Sequence, residues 1–124
     1  MLILDTNAVI GYLKDDQRLT KLIDASGQRG EAIVLPTIVI TELLSYPALT
    51  EEHLLRIEDF LRAARILSLT ESTARIAAKI RREHHLTTID AVVAATAMLA
   101  DNGRLVTLDK AFQKVKSISL LTIE

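Results

Sequence analysis

The residue types that could do chemistry in this sequence are four acids in unusual contexts. Asp5 directly follows a short apolar run, Leu2–Leu4, and Asp109 follows a second apolar run about 100 residues later. Glu42 lies inside an otherwise apolar segment, and Asp90 opens an apolar helical one. An unpaired carboxylate in an apolar segment carries a desolvation penalty on the order of several kcal/mol. On this ground Glu42 is the hardest of the four to explain by a purely structural role.

Structural explanations also exist for each of these acids. Asp5 and Asp109 are both well placed to cap a helix N-terminus. Asp90 has Thr87 three residues before it, which is the spacing of a capping box. Glu42 could face solvent on the polar side of its helix. No single one of the four is decisive.

The elements that must position these acids follow from hydrophobic periodicity. Apolar runs of strand length do not alternate with polar residues, which is typical of strands buried on both faces of a parallel sheet. Segments with helical period lie between them, so βαβ crossovers are expected. We predict an α/β domain of three layers, α/β/α, with roughly five parallel strands. The predicted strands are Leu2–Leu4, Ala32–Leu35, Ile66–Leu69, Leu105–Thr107 and Ile118–Leu121.

Two local signals bear on where helices begin and end. Pro36-Thr37 can open a helix, although the β-branched run after it, residues 37–41, could instead extend the strand. Asn102-Gly103 is expected to end a helix, with Gly103 at the position that prefers positive φ. In an open parallel sheet the functional crevice lies at the carboxyl ends of the strands. Asp5 and Asp109 should therefore reach the same rim.

Composition narrows the class of protein. The 124 residues suit a single domain, 1–124, and 49% apolar with 25% charged residues describes a globular chain. There is no Cys, which excludes a disulfide scaffold and thiolate chemistry and fits a reducing cytoplasm. The longest apolar stretch, residues 91–100, is about half the roughly 20 residues that a membrane span requires. We expect a cytoplasmic protein with no membrane partner.

Taken together, the motifs resemble the PIN-domain ribonucleases, and most of all the VapC-type toxins of prokaryotic toxin–antitoxin pairs. The resemblance runs from Leu2 to about Phe112 and is specific in order and spacing. The segments that carry it are Leu-Ile-Leu-Asp-Thr-Asn from residue 2, Thr-Glu-Leu-Leu from residue 41, Asp-Ala-Val-Val-Ala-Ala-Thr-Ala from residue 90 and Leu-Val-Thr-Leu-Asp-Lys-Ala-Phe from residue 105.

The resemblance implies a site and an activity. Converging carboxylates repel each other, and a hard divalent cation with oxygen ligands removes that repulsion. One or two ions are compatible with hydrolysis of an RNA phosphodiester. The residues that match the family's acidic quartet for Mg²⁺ or Mn²⁺ are Asp5, Glu42, Asp90 and Asp109; Asn7 matches a small polar position, and Thr107 a hydroxyl that helps orient a metal-bound water or ligand.

The chain departs from the family pattern before the third acid, where relatives often carry Pro and this sequence reads Leu86-Thr87-Thr88-Ile89. The fourth acid, here Asp109, varies within the family. The resemblance also implies a small antitoxin partner whose C-terminal segment covers the crevice, and a homodimer. A non-catalytic PIN scaffold that binds RNA or protein, or a housekeeping RNA-processing nuclease, is the alternative.

Two other classes of similar size fit less well. A receiver domain requires an aspartate after the third strand, where this chain has Leu69-Thr70-Glu71. A haloacid-dehalogenase-like phosphatase requires an aspartate at position 7, which is Asn7. His84 and His85 are adjacent near the end of a predicted helix, and we interpret them as surface residues.

The net charge of −1 averages two unlike regions. Residues 1–74 carry 7 Lys and Arg against 11 acids, whereas residues 75–116 carry 8 against 4. Arg75, Lys79 and Arg82 share one helical face and could contact RNA phosphates, although an ordinary solvated face explains them as well. Two bound divalent ions would turn −1 into +3, so RNA binding is expected to depend on the metal. The few aromatic residues argue against recognition by base stacking.

Overall fold

The predicted runs form strands in the computed structural model, which describes residues 1–122. Within that range, five strands make one wholly parallel sheet in the order β3-β2-β1-β4-β5. The elements in chain order are β1 (Leu2–Leu4), α1 (Thr6–Leu13), α2 (Gln17–Gln28), β2 (Ile33–Pro36), α3 (Thr37–Leu44), α4 (Glu51–Ala63), β3 (Arg65–Leu67), α5 (Glu71–His84), α6 (Thr88–Leu99), β4 (Arg104–Thr107), a short 3₁₀ helix (Lys110–Lys114) and β5 (Ser119–Thr122).

The sheet topology determines where side chains can meet. From β1 the chain steps to β2 and then β3 in one direction, and it returns across β1 to form β4 on the other side. With right-handed crossovers, this strand order predicts α1–α4 on one face and α5–α6 on the opposite face. The direction of the connections reverses between β1 and β4, and ligands in open parallel sheets bind at the carboxyl end of such a switch point. The α/β prediction is confirmed.

Burial explains why the central strands lack alternation. All of β1 is buried, and β2 and β4 are buried except for their first residue. The edge strand β3 is exposed or half-buried. On the α5–α6 face, α6 presents seven consecutive buried residues, 91–97, because it packs on both the sheet and α5. Helical periodicity did not predict α1, because this helix is apolar on most of its surface and therefore shows no one-sided apolar stripe.

Helix punctuation agrees with the sequence at most positions. Pro36 is the last residue of β2 and the N-cap of α3, so the β-branched residues 37–41 are helical. Thr70 and Thr87 cap α5 and α6, each through its hydroxyl. The prediction for Gly103 was wrong, because the positive φ of 53° belongs to Asn102. Gly103 is needed for space, since a Cβ there would lie 2.6 Å from the Ile3 side chain.

A membrane-spanning helix would need greater length and apolarity than any helix in residues 1–122 has.

Candidate active site

Asp5 and Asp109 lie at the carboxyl ends of the neighbouring strands β1 and β4, as the sequence predicted. Thr107, the fully buried last residue of β4, connects them: its hydroxyl donates to the Asp5 carboxylate and accepts the Asp109 N–H at 2.9 Å. The Asp5 carboxylate also accepts the Ala8 N–H at 2.8 Å, which makes it the N-cap of α1. Asp109 caps the 3₁₀ helix through Ala111.

Glu42 lies in the last turn of α3, and its side chain is half-buried. Its carboxylate accepts a hydrogen bond from the hydroxyl of Thr6, the first residue of α1. The solvent-facing interpretation of Glu42 is therefore incomplete, because the carboxylate is bonded to the residue that directly follows Asp5. This contact joins α3 to the beginning of α1.

Asp90 is the third residue of α6 and is half-buried. Its backbone N–H donates to the Thr87 hydroxyl at 3.2 Å, as the capping-box spacing predicted. The three residues Asp5, Asp90 and Asp109 thus lie at or within the first turn of three helices, where the helix dipole favours negative charge. Glu42 lies near a helix C-terminus, where the dipole disfavours it.

The electrostatics show that the acids lie within range of one another. Burial raises the pKa of the Asp5 carboxyl, the hydrogen bonds from Thr107 and Ala8 lower it, and the charges of Asp90 and Asp109 raise it further, with a net increase. The pKa of Asp90 is also raised, by burial first and then by the charges of Asp109 and Glu42, against a hydrogen bond to Thr87 that lowers it. Asp5, Asp90 and Asp109 therefore repel one another, and Glu42 repels Asp90.

The donor chemistry of this rim fits a hard divalent cation, because it consists of carboxylate oxygens whose repulsion a cation would relieve. Within residues 1–122 no Lys, Arg or His forms an ion pair with any of the four acids. In the same range, no three acidic or histidine side chains lie close enough to hold one ion as they stand. An ion held here would have one or two carboxylate ligands and complete its coordination with water, as is usual for Mg²⁺.

The other residues singled out from the sequence have different positions. Asn7 is exposed and lines an apolar groove of about 530 Å³ between α1, α3 and α4. The residues lining it are Asn7, Ile10, Leu13, Lys14, Leu43, Tyr46, Ala48, Leu49, His53, Arg56 and Ile57. This groove was not predicted, because its lining comes from three helices and a connecting segment.

The basic residues of α5 are exposed, as expected for a solvated face. Arg75 pairs with Glu71 at 3.0 Å, while Lys79 and Arg82 lie on the same exposed side. His85 ends the helix in the left-handed conformation, with φ of 57°, and is exposed. Sequence reasoning also missed Thr6, although it lies within the quoted motif, because its hydroxyl bonds to a residue 36 positions away.

Comparison with known families and structures agrees with this geometry. The PIN domain family profile matches residues 2–118. Since this is nearly the whole chain, the chain belongs to the PIN domain family. No curated protein sequence matches the chain.

Solved structures show the same fold. A chain of VapBC2 from Rickettsia felis, bound to a DNA fragment from its promoter, is 20% identical with a TM-score of 0.84, over 99% of this chain and 98% of that one. A toxin–antitoxin complex from Klebsiella pneumoniae is 21% identical with a TM-score of 0.82, over 98% and 97%. FitAcB from Neisseria gonorrhoeae is 23% identical with a TM-score of 0.76, over 98% and 97%. At these identities the likeness establishes the fold.

Proposed function

We propose that this PIN domain is a metal-dependent endoribonuclease that hydrolyses RNA phosphodiesters as the toxin of a toxin–antitoxin pair. The observation that carries the proposal is the cluster of acids at the β1/β4 switch point. Thr107 hydrogen-bonds both Asp5 and Asp109. The charge of Asp90 acts on Asp5, and the charge of Glu42 acts on Asp90. A buried carboxylate surrounded by like charges lowers stability, so a structural role alone does not account for it.

In this proposal, Asp5, Glu42, Asp90 and Asp109 hold one or two Mg²⁺ or Mn²⁺ ions, and Asn7 and Thr107 support them. A bound divalent ion would activate water for attack on phosphorus and neutralise phosphate charge. The chain's own contribution is to fix the carboxylates: the Ala8 N–H and the Thr107 hydroxyl hold Asp5, and the Ala111 N–H holds Asp109.

The test is cleavage of a structured RNA pool by the purified protein in Mg²⁺ or Mn²⁺, with and without EDTA. EDTA and Asp5→Asn are each expected to lower the rate by about a hundredfold or more. The matched control is Asp16→Asn, which changes another helix-capping aspartate that bonds Arg18 and is not one of the four rim acids. The control should cleave at the wild-type rate, since asparagine also caps helices.

Cleavage that survives both EDTA and Asp5→Asn would refute the metal–carboxylate mechanism. If neither the wild type nor the variants cleave RNA while all remain folded, the second candidate function gains support. That candidate is a non-catalytic PIN scaffold, and the observation that favours it is that no three acids within residues 1–122 stand close enough to hold an ion.

The proposed partner is a small antitoxin that binds the apolar groove between α1, α3 and α4. The support is that relatives of this fold are solved as toxin–antitoxin complexes, and that Asn7, two residues from Asp5, lines the groove. A segment seated there would reach the rim and block RNA. We further propose that the protein acts in the cytoplasm as a homodimer. Light scattering on the purified protein measures its mass and so tests whether it is a dimer.

A further inference from the structure

Glu42 differs from the other three rim acids in how its carboxylate is held. Asp5 and Asp109 cap helices through backbone N–H groups, and Asp90 lies in the first turn of α6. Glu42 lies in the last turn of α3, where the backbone presents carbonyls and the helix dipole repels a negative charge. A glutamate also has a longer side chain than an aspartate, so more rotamer freedom must be restricted.

Among the described residues, the Thr6 hydroxyl is the one group that hydrogen-bonds the Glu42 carboxylate. Thr6 is only 7% exposed, and it is β-branched, so its χ1 angle is restricted by packing. It follows Asp5 directly in the chain, so α1 holds both carboxylates through adjacent residues. A carboxylate has two oxygens, and one that accepts a hydrogen bond from Thr6 keeps the other available for a cation.

We propose that Thr6 is a positioning residue for the metal site, which holds Glu42 in place through its hydroxyl without itself binding the ion. This inference rests on the proposed function, because it assigns Glu42 to a divalent ion. Hydrogen-bond partners of ligating carboxylates contribute about tenfold to a hundredfold to metal affinity. The role requires the hydroxyl of Thr6, and its methyl group is secondary.

The experiment measures direct Mn²⁺ binding, from the loss of the free-ion electron paramagnetic resonance signal, for the full chain and its variants. Thr6→Val, which keeps the shape and removes the hydroxyl, is expected to weaken Mn²⁺ binding by about tenfold. Thr6→Ser, which keeps the hydroxyl, should bind within about twofold of wild type. The matched control is Thr96→Val, since Thr96 is also 7% exposed but donates to a carbonyl within α6.

A second readout separates positioning from general damage. The Mn²⁺ concentration for half-maximal RNA cleavage should rise for Thr6→Val by the same factor as the dissociation constant, with the rate at saturating Mn²⁺ largely recovered. Thr6→Val added to Glu42→Gln should weaken Mn²⁺ binding no further, because the two residues act through one contact.

Each other outcome counts against the inference. It is overturned if Thr6→Val binds Mn²⁺ as wild type does, if Thr6→Ser is as weak as Thr6→Val, or if Thr96→Val is equally weak. When one of these results is found while the wild type binds Mn²⁺ and Asp5→Asn does not, the role of Thr6 alone is rejected and the proposed function stands. If the wild type binds no Mn²⁺, the metal site and the role of Thr6 are rejected together.

Discussion

The rim acids and Glu31 show two opposite ways in which a carboxylate is accommodated. Burial, and after it the charges of neighbouring acids, raise the pKa of Asp5 and of Asp90. Glu31, just before β2, instead accepts hydrogen bonds at 2.8 Å to both carboxylate oxygens from Arg104, at the start of β4. Its pKa is lowered to about 2, chiefly by Arg104. Glu31 therefore contributes to stability, whereas the charge on Asp5 lowers it.

The Glu31–Arg104 pair predicts a pH-dependent contribution to folding. An acid whose folded pKa is about 2 and whose ordinary value is 4.5 stabilises the fold above pH 4.5, and this contribution is lost as the pH falls towards 2. Glu31→Gln is expected to lower the free energy of unfolding at pH 7 by about 1 kcal/mol, and by much less near pH 2. Urea unfolding at both pH values measures the difference.

The control for this prediction is Glu71→Gln, which removes an ion pair with Arg75 in which both side chains are more than three-quarters exposed. Exposed pairs contribute little, so its effect should stay below about 0.5 kcal/mol. A Glu31→Gln variant as stable as wild type at pH 7 would contradict the prediction.

At the scale of elements, α1 contributes to both the acidic rim and the apolar groove. Its beginning carries Asp5 and Thr6, and its far end carries Ile10 and Leu13, which line the groove with α3 and α4. Tyr46, after α3, is 49% exposed at this groove. A partner bound along α1 would therefore contact both regions.

The groove gives a prediction about antitoxin binding. Tyr46→Asp is expected to weaken binding of the proposed antitoxin by about tenfold or more, because it places a charge in an apolar contact. RNA cleavage by the variant alone should be unchanged, since within residues 1–122 the Tyr46 side chain forms no hydrogen bond with any of the four acids. Affinity is measured by titration, and cleavage is measured with and without the partner.

The control is Leu55→Asp, which alters a more exposed leucine, 65% exposed on α4, that does not line the groove. This variant should bind the partner as wild type does. Equal binding by Tyr46→Asp and wild type would place the partner on a different surface.

For the whole molecule, the distribution of charge matters more than its sum of −1. The cations of α5 lie exposed in the segment 75–116, which carries the excess positive charge. In the proposed function, the rim acids would repel RNA phosphates until a cation neutralises them. Binding to RNA should therefore combine metal dependence with salt dependence.

Replacing Arg75, Lys79 and Arg82 together with glutamine is expected to weaken RNA binding and to reduce the slope of log affinity against log salt by up to about 2, at about 0.7 per lost phosphate contact. The control is the triple replacement of Arg18, Lys21 and Arg29 on and just after α2, which changes net charge equally. Fluorescence anisotropy over a salt series shows whether RNA binding depends on where the cations lie or only on the net charge of the protein. Equal slopes for both triple variants would assign no specific role to α5.

Much of the fold could be predicted, because it depends on local patterns. Apolar runs without alternation predicted the parallel strands, and the capping-box spacing of Thr87 and Asp90 predicted the beginning of α6. The prediction that failed concerned a local preference, the positive φ expected at Gly103. Asn102 has the positive φ that was expected for Gly103, and Gly103 lies where a Cβ would approach the Ile3 side chain.

The identity and order of the four acids came from the sequence alone, since residue type and distance from strand ends are local properties. The assignment of these acids to a metal site stays a prediction. Only the tertiary structure decided their partners: Thr107 links β4 to β1, and Thr6 links α1 to α3, over separations of 102 and 36 residues. Such contacts depend on strand order and helix packing, which bring distant segments together and which no local pattern records.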